Sequence, residues 1–270
     1  MDQRIEINRR NWNERTPIHV GPDGYDVDGF KAGRITLRDI EIEELGSVAG
    51  KSLLHLQCHF GMDTMSWARL GAEATGVDLS DASIVVAQEL NDELGLGVRF
   101  LRSNIYDLPN VLQERFDVVY TALGALCWLP DLTMWAQIVA RYLKRGGTFY
   151  MLDEHPTGRI FTSVQNAEGG YDLETENQYF PNPDGLLDDG ERNSYTGSDT
   201  IKTPVYEWQH SMSEIVNALI GADLKIEYVH EYPFSFFQAL PQMRQRIDGW
   251  WELDEYGGNI PFMLSIKASI

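Results

Sequence analysis

The sequence predicts an α/β protein: an open, mostly parallel sheet with helices on both faces. Three observations predict it. From residue 52 to 152, short β-branched or aliphatic runs alternate with longer segments of helical period, the pattern of consecutive strand–helix–strand units. Gly71, Gly95 and Gly146 stand where helix C-termini call for left-handed residues. The first apolar run, Leu53-Leu54-His55-Leu56, leaves into the short turn Gln57-Cys58-His59-Phe60-Gly61 ahead of a helix, and in such sheets ligands lie beyond the C-terminal ends of the strands.

Taken in order, the expected strands are Ser52–Leu56, Ala74–Asp78, Val98–Arg102, Phe116–Ala122 and Thr148–Leu152, with helices at about Asp63–Leu70, Ser83–Leu94 and Leu132–Leu143 between them. After Pro156 the chain turns rich in Gly, Asn, Asp and Tyr, which reads as an insertion instead of another unit. Ser211 and Glu214 stand at capping-box spacing before the apolar-periodic run Ile215–Ala222. Leu224–Tyr232 and Phe262–Ala268 read as a closing strand pair, separated by an aromatic loop. The expected organisation is an N-terminal lid or helical segment over 1–50, a Rossmann-like cofactor-binding core over 51–156, a substrate cap over 157–210, and a helix with two strands completing the core over 211–270.

Composition narrows the function. With 22 Lys plus Arg against 41 Asp plus Glu, the net charge of −19 repels polyphosphate and anionic lipid, so neither nucleic acid nor membrane is expected as a partner. No apolar run approaches the roughly 20 residues of a spanning helix, and the charged N-terminus does not read as a secretory signal, so a cytoplasmic protein is expected. The two cysteines, Cys58 and Cys127, are too few for a disulfide framework and read as reduced. His55 and His59 lack the further ligands a metal needs, and no metal is expected.

The turn after the first strand points to a nucleotide-like cofactor, and Asp78, at the end of Gly76-Val77-Asp78, is placed to accept ribose hydroxyls. With these residues the chain resembles a class I S-adenosylmethionine-dependent methyltransferase over roughly residues 50–155. His55-Leu56-Gln57-Cys58-His59-Phe60-Gly61 resembles the family's glycine-rich first motif, with Gln57 and His59 where glycines are usual. Gly76-Val77-Asp78-Leu79-Ser80 resembles the ribose motif, and residues 103–109, 116–132 and 143–156 resemble the adenine loop, the fourth strand, and the last helix and fifth strand. The variant first motif, with the N-terminal Trp-Asn-Glu-Arg-Thr-Pro-Ile-His, resembles a bacterial subgroup that methylates small molecules.

The resemblance implies a Rossmann-like seven-stranded sheet whose last strand is antiparallel, with S-adenosylmethionine as cofactor. It places the methionine end near Gln57, Cys58 and Gly61, the ribose on Asp78, and the adenine between Leu79 and Ser103, Asn104 and Ile105. Thr121 and Leu123 flank the sulfonium, and Trp12, Arg15, His19 and Tyr25 belong to a covering N-terminal segment. Methyl transfer needs a base only when the acceptor must lose a proton; His155, leaving the fifth strand, and His210, beside the capping box, are the candidates. Tyr25, Tyr179, Tyr195, Tyr206, Trp208, Phe234 and Phe237 are expected around a small-molecule acceptor methylated on oxygen or nitrogen, in a monomer or homodimer. A nicotinamide-dependent oxidoreductase, or a non-catalytic cofactor-binding protein of the same fold, are the alternatives; the first lacks G-x-G-x-x-G at the turn.

Overall fold

The structure is a computed structural model describing residues 2–194, 196 and 200–270; Tyr195 lies outside the described residues. Its centre is a seven-stranded sheet of β1 (Ser52–Leu56), β2 (Glu73–Asp78), β3 (Arg99–Arg102), β4 (Phe116–Ala122), β5 (Leu143–Glu154), β6 (Lys225–Tyr232) and β7 (Met263–Ser269). The strand order is β6-β7-β5-β4-β1-β2-β3. β1 to β5 run parallel, and β7 is antiparallel to both of its neighbours. The expected Rossmann-like sheet is therefore present, with the antiparallel strand next to the edge.

Seven helices accompany the sheet among the described residues: α1 (Gln3–His19), α2 (Val27–Lys31), α3 (Asp39–Leu45), α4 (Met62–Arg69), α5 (Asp81–Leu94), α6 (Leu132–Tyr142) and α7 (Met212–Gly221). One sheet face packs Leu54, Leu56, Val119, Phe149 and Met151 against Trp135 and Val139 of α6 and Leu219 of α7. The other packs Leu53, Val118, Tyr120 and Tyr150 against Leu45 of α3 and Trp67 of α4. Both faces are covered, so β1 is a near-continuous apolar run and not an alternating one. His55 is the single polar residue in its buried stretch Leu53–Leu56.

Two boundaries differ from expectation. α6 passes directly into β5, which starts at Leu143, so Gly146 takes its left-handed φ of 76° inside that strand and not at a helix end. The segment 157–210 folds as short hairpins, including Phe161–Gln165 with Tyr171–Thr175 and Leu186–Asp188 with Val205–Glu207.

α1 is fastened to that segment by polar groups. Asn8 exchanges two 2.8 Å hydrogen bonds with the Tyr206 backbone, Asn11 donates to the Thr203 carbonyl at 2.7 Å, and the Glu14 carboxylate accepts the Lys202 and Thr203 N–H groups. On its other side α1 meets the start of α5, where Asn13 accepts from the Ser80 hydroxyl at 2.7 Å and Thr16 lies 2.8 Å from Ser83 Oγ.

Candidate active site

The C-terminal ends of β1, β2 and β4, with the loop after β3, open into one cavity of about 720 Å³. That volume lies within the roughly 300–1,000 Å³ of small-molecule sites. Its floor is the turn after β1. Gln57, His59 and Gly61 have φ of 61°, 52° and 82°, so two non-glycine residues occupy left-handed backbone. Two of the bonds here are the Cys58 N–H to the Val77 carbonyl at 2.9 Å and the His59 N–H to Asp78 Oδ2 at 2.7 Å. Gly61 has no alternative: a Cβ there would lie 2.5 Å from the Phe100 ring.

Asp78 closes β2, and its other oxygen accepts the Ser80 N–H at 2.8 Å. Burial pushes its carboxyl up to about 6 against the pull of these N–H groups, leaving it ionised at neutral pH. The loop after β4 forms the opposite wall. Buried Asp153 gathers the N–H groups of Gly124, Ala125 and Leu126, fixing Leu123 and Gly124 in positive-φ conformations. The Gln57 amide donates to the Ala125 carbonyl at 2.8 Å and ties the two strand exits together.

α1 and the residues after it roof the cavity. Trp12 packs edge-on against His59 and Trp128, with centroids 5.1 and 5.2 Å away, and Tyr25 packs against Phe60 at 5.3 Å. His19 Nδ1 lies 3.0 Å from His59 Nε2, and its Nε2 lies 2.8 Å from Ser194 Oγ. Burial holds His19 down to about 3 with the nearby Arg15 guanidinium acting the same way, so the pair is neutral at physiological pH.

Of the residues named from the sequence, Trp12, Tyr25, Gln57, Cys58, Gly61, Asp78, Leu79, Asn104, Ile105 and Leu123 line this cavity, as does Phe234. Ser103 and Thr121 are buried beside it without lining it; the Ser103 hydroxyl turns to the Asn104 carbonyl at 2.8 Å. The two histidines expected as bases are elsewhere. His155 is buried where β5 meets β7, with Nδ1 accepting the Thr157 N–H at 3.0 Å and Nε2 2.8 Å from Glu231. His210 spans Glu214 at 3.0 Å and the Leu129 carbonyl at 2.9 Å, so it serves the start of α7. Tyr179 accepts the Met212 N–H, Tyr206 stacks on buried Trp208, and Phe237 packs on Phe236, which lines the cavity in its stead.

No described residue of 157–210 lines the cavity; the wall away from Asp78 is built by residues 34–40 and the loop of Phe234, Phe236, Arg246, Asp248 and Trp250. The insertion instead backs α1. The sequence reading passed over Arg38, Asp63, Tyr106 and Trp128, all of which line the cavity. The available signal was the carboxylate of Asp63 in the first turn after Gly61.

Residues 54–151 match the family model described as a methyltransferase domain. The core of the sheet is thus similar to a methyltransferase domain. The ubiquinone biosynthesis O-methyltransferase of Pseudomonas syringae pv. tomato is 33% identical to it over 125 residues, 46% of this chain and 53% of that protein. The chain thus spans about half the length of the curated relatives it matches. A putative S-adenosylmethionine-dependent methyltransferase from Listeria monocytogenes superposes with a TM-score of 0.60 at 22% identity, covering 85% of this chain and 95% of that one. An S-adenosylmethionine-dependent methyltransferase from Mesorhizobium loti gives 0.58 at 20% identity, covering 89% and 100%. At these identities the likeness establishes the fold.

Proposed function

We propose that the protein transfers the methyl group of S-adenosylmethionine to an oxygen or nitrogen atom of a small-molecule acceptor. One observation carries the reading: within a methyltransferase domain, the Asp78 carboxylate lines a cavity that runs across the ends of β2, β1 and β4. In this reading Asp78 holds the ribose hydroxyls. Leu79, Asn104 and Ile105 hold the adenine, Trp12 and Trp128 cover it, and Gln57 and Leu123 bracket the sulfur. The curated relatives named as O-methyltransferases and structural neighbours named as S-adenosylmethionine-dependent enzymes support it.

The acceptor side has Ile35, Leu37, Ile40, Phe234, Phe236 and Trp250 in its wall, which suits a flat, largely apolar molecule. Transfer is an in-line displacement: the acceptor lone pair attacks the methyl carbon while the carbon–sulfur pair returns to sulfur. The protein accelerates it chiefly by holding the two at attack distance in a water-poor cavity. The net charge of −19 supports a small-molecule acceptor over nucleic acid. Among the described residues no helix is long and apolar enough to cross a membrane. The oxidoreductase alternative draws no support from the relatives.

Isothermal titration with S-adenosylhomocysteine, with a nicotinamide dinucleotide as control, tests the proposal. Micromolar binding of the first alone, weakened about tenfold or more by Asp78→Ala, is the expected result. Binding unaffected by that substitution refutes the site assignment.

A further inference from the structure

The cavity wall away from Asp78 reverses the charge balance of the chain. The sequence holds 41 acidic residues against 22 basic ones, whereas among the described residues that wall holds Arg34, Arg38 and Arg246 against Asp39 and Asp248. It carries one positive charge in excess, inside a molecule of net charge −19.

Arg246 is held in a closed turn. Its N–H donates to the Trp250 carbonyl at 2.7 Å, and its carbonyl accepts the Gly249 N–H at 3.0 Å. The guanidinium lies over the Phe234 ring, 5.0 Å from the centroid, and Phe234 packs at 4.8 Å on Trp250, which is 95% buried. A guanidinium resting on a ring keeps its N–H donors in its own plane, free to meet a ligand edge-on. Asp248 takes one of them, from Nη2 to Oδ2 at 2.7 Å; Glu252 lies 3.9 Å from Nε, beyond hydrogen-bond reach, and among the described residues no hydrogen bond uses Nη1. With side chains 35% and 41% exposed, the Arg246–Asp248 pair is solvated and contributes little by itself. Its effect is to orient the fork, since Asp248 is in turn tied to the Trp250 N–H at 3.3 Å.

The same wall includes Ile35, Leu37, Ile40 and Phe236, an apolar surface for a ring. One positive charge in excess matches a monoanion, and a planar fork of donors matches a planar carboxylate. A phosphate monoester brings a second charge for which the wall has no further cation.

We propose that the methyl acceptor is an aromatic carboxylate, with its ring against the apolar wall and its carboxylate on Arg246, so that Arg246 and Asp248 determine acceptor specificity. This rests on the methyltransferase reading above. A hydroxyl or amino group on the ring supplies the lone pair that bonds the methyl carbon; the carbon–sulfur pair stays on sulfur, and the proton of the nucleophile passes to water.

Titration of the full chain, saturated with S-adenosylhomocysteine, tests it. The probes are 4-hydroxybenzoate, 4-aminobenzoate and 6-hydroxy-2-naphthoate, each beside its carboxamide. At least one carboxylate should bind about tenfold or more tightly than its amide. Arg246→Gln should bring that pair to within about twofold while leaving S-adenosylhomocysteine affinity unchanged, which also verifies that the variant is folded. Asp248→Asn removes the competing charge and keeps an acceptor for the Trp250 N–H. It should tighten carboxylate binding several-fold, which a merely structural role does not do. Carboxylates that bind no better than their amides in every pair, or a panel in which nothing binds, overturn the proposal. So do a preference that survives Arg246→Gln, a carboxylate affinity that Asp248→Asn fails to raise, and a loss of S-adenosylhomocysteine binding in the Arg246 variant. A wild type that does not bind S-adenosylhomocysteine overturns the methyltransferase reading itself.

Discussion

At the turn after β1, Gln57 holds a φ of 61°, where an L side chain crowds its own backbone at a cost of about 1 kcal/mol relative to glycine. What retains it is its amide bond to Ala125, which couples two walls of the cavity. Comparing Gln57→Ala with Gln57→Gly separates the two effects, since both lose the amide and only glycine relieves the backbone. The glycine variant should be the more stable by about 1 kcal/mol in urea denaturation, and equal midpoints would argue against strain at this turn. At this scale the sequence was informative where a residue type stood in a recognisable motif, as Asp78 and Asn104 do. It was silent where chain-distant segments supply the chemistry: Arg38 lies before the first strand, and only the fold brings it to the cavity. It misled at His155 and His210, because a histidine at a strand end or beside a helix cap satisfies backbone as readily as it meets a ligand.

Among the elements, α1 is held in place by means that its sequence does not display. Its buried positions include Asn8, Asn11, Arg15, Thr16 and His19 against the single aliphatic Ile5, so no apolar stripe marks it as a docked helix. It is held by side-chain to backbone hydrogen bonds to residues 202–206 and by the contacts with Ser80 and Ser83. Asn8→Ala leaves a backbone N–H and a carbonyl of Tyr206 without partners, a loss of about 1–3 kcal/mol. Amide exchange over residues 3–19 should speed up, and S-adenosylhomocysteine should bind several-fold more weakly, because Trp12 rides on the same helix. Unchanged exchange would show that the α5 contacts suffice to hold α1. By contrast α4, α5, α6 and the strands were legible to within a few residues, because burial on both faces writes the period directly into the sequence.

For the molecule as a whole, stability should peak near pH 6.5. Burial, with the Asp63 charge acting alongside, raises Glu41 to about 8 while Tyr120 and the Arg38 N–H bond its carboxyl. The folded state therefore retains a proton that the unfolded chain releases near 4.5, and stability falls as pH rises between those values. Asp78 acts in the same sense but is finished by about 6. His19 and His55, held near 3, act oppositely, since the unfolded chain gains protons below 6.5 that the fold refuses. Above 6.5 Glu41 remains, with a loss of about 2 kcal/mol by pH 8. Glu41→Gln should flatten that alkaline decline in urea midpoints and leave the acid limb intact; a decline that persists would assign it to another group. The fastening of α1 also has a consequence for biosynthesis. The helix is made early, yet its backbone partners at 202–206 follow the five strands β1 to β5 and the five helices α2 to α6. Most helical stability comes from tertiary packing and α1 has no apolar stripe to pack early, so it stays largely unformed on the nascent chain until the insertion emerges. The sheet can be complete through β5 by then, its strand ends still uncovered, and the roof over them can close only after residues 202–206 emerge, with α7, β6 and β7 still to follow.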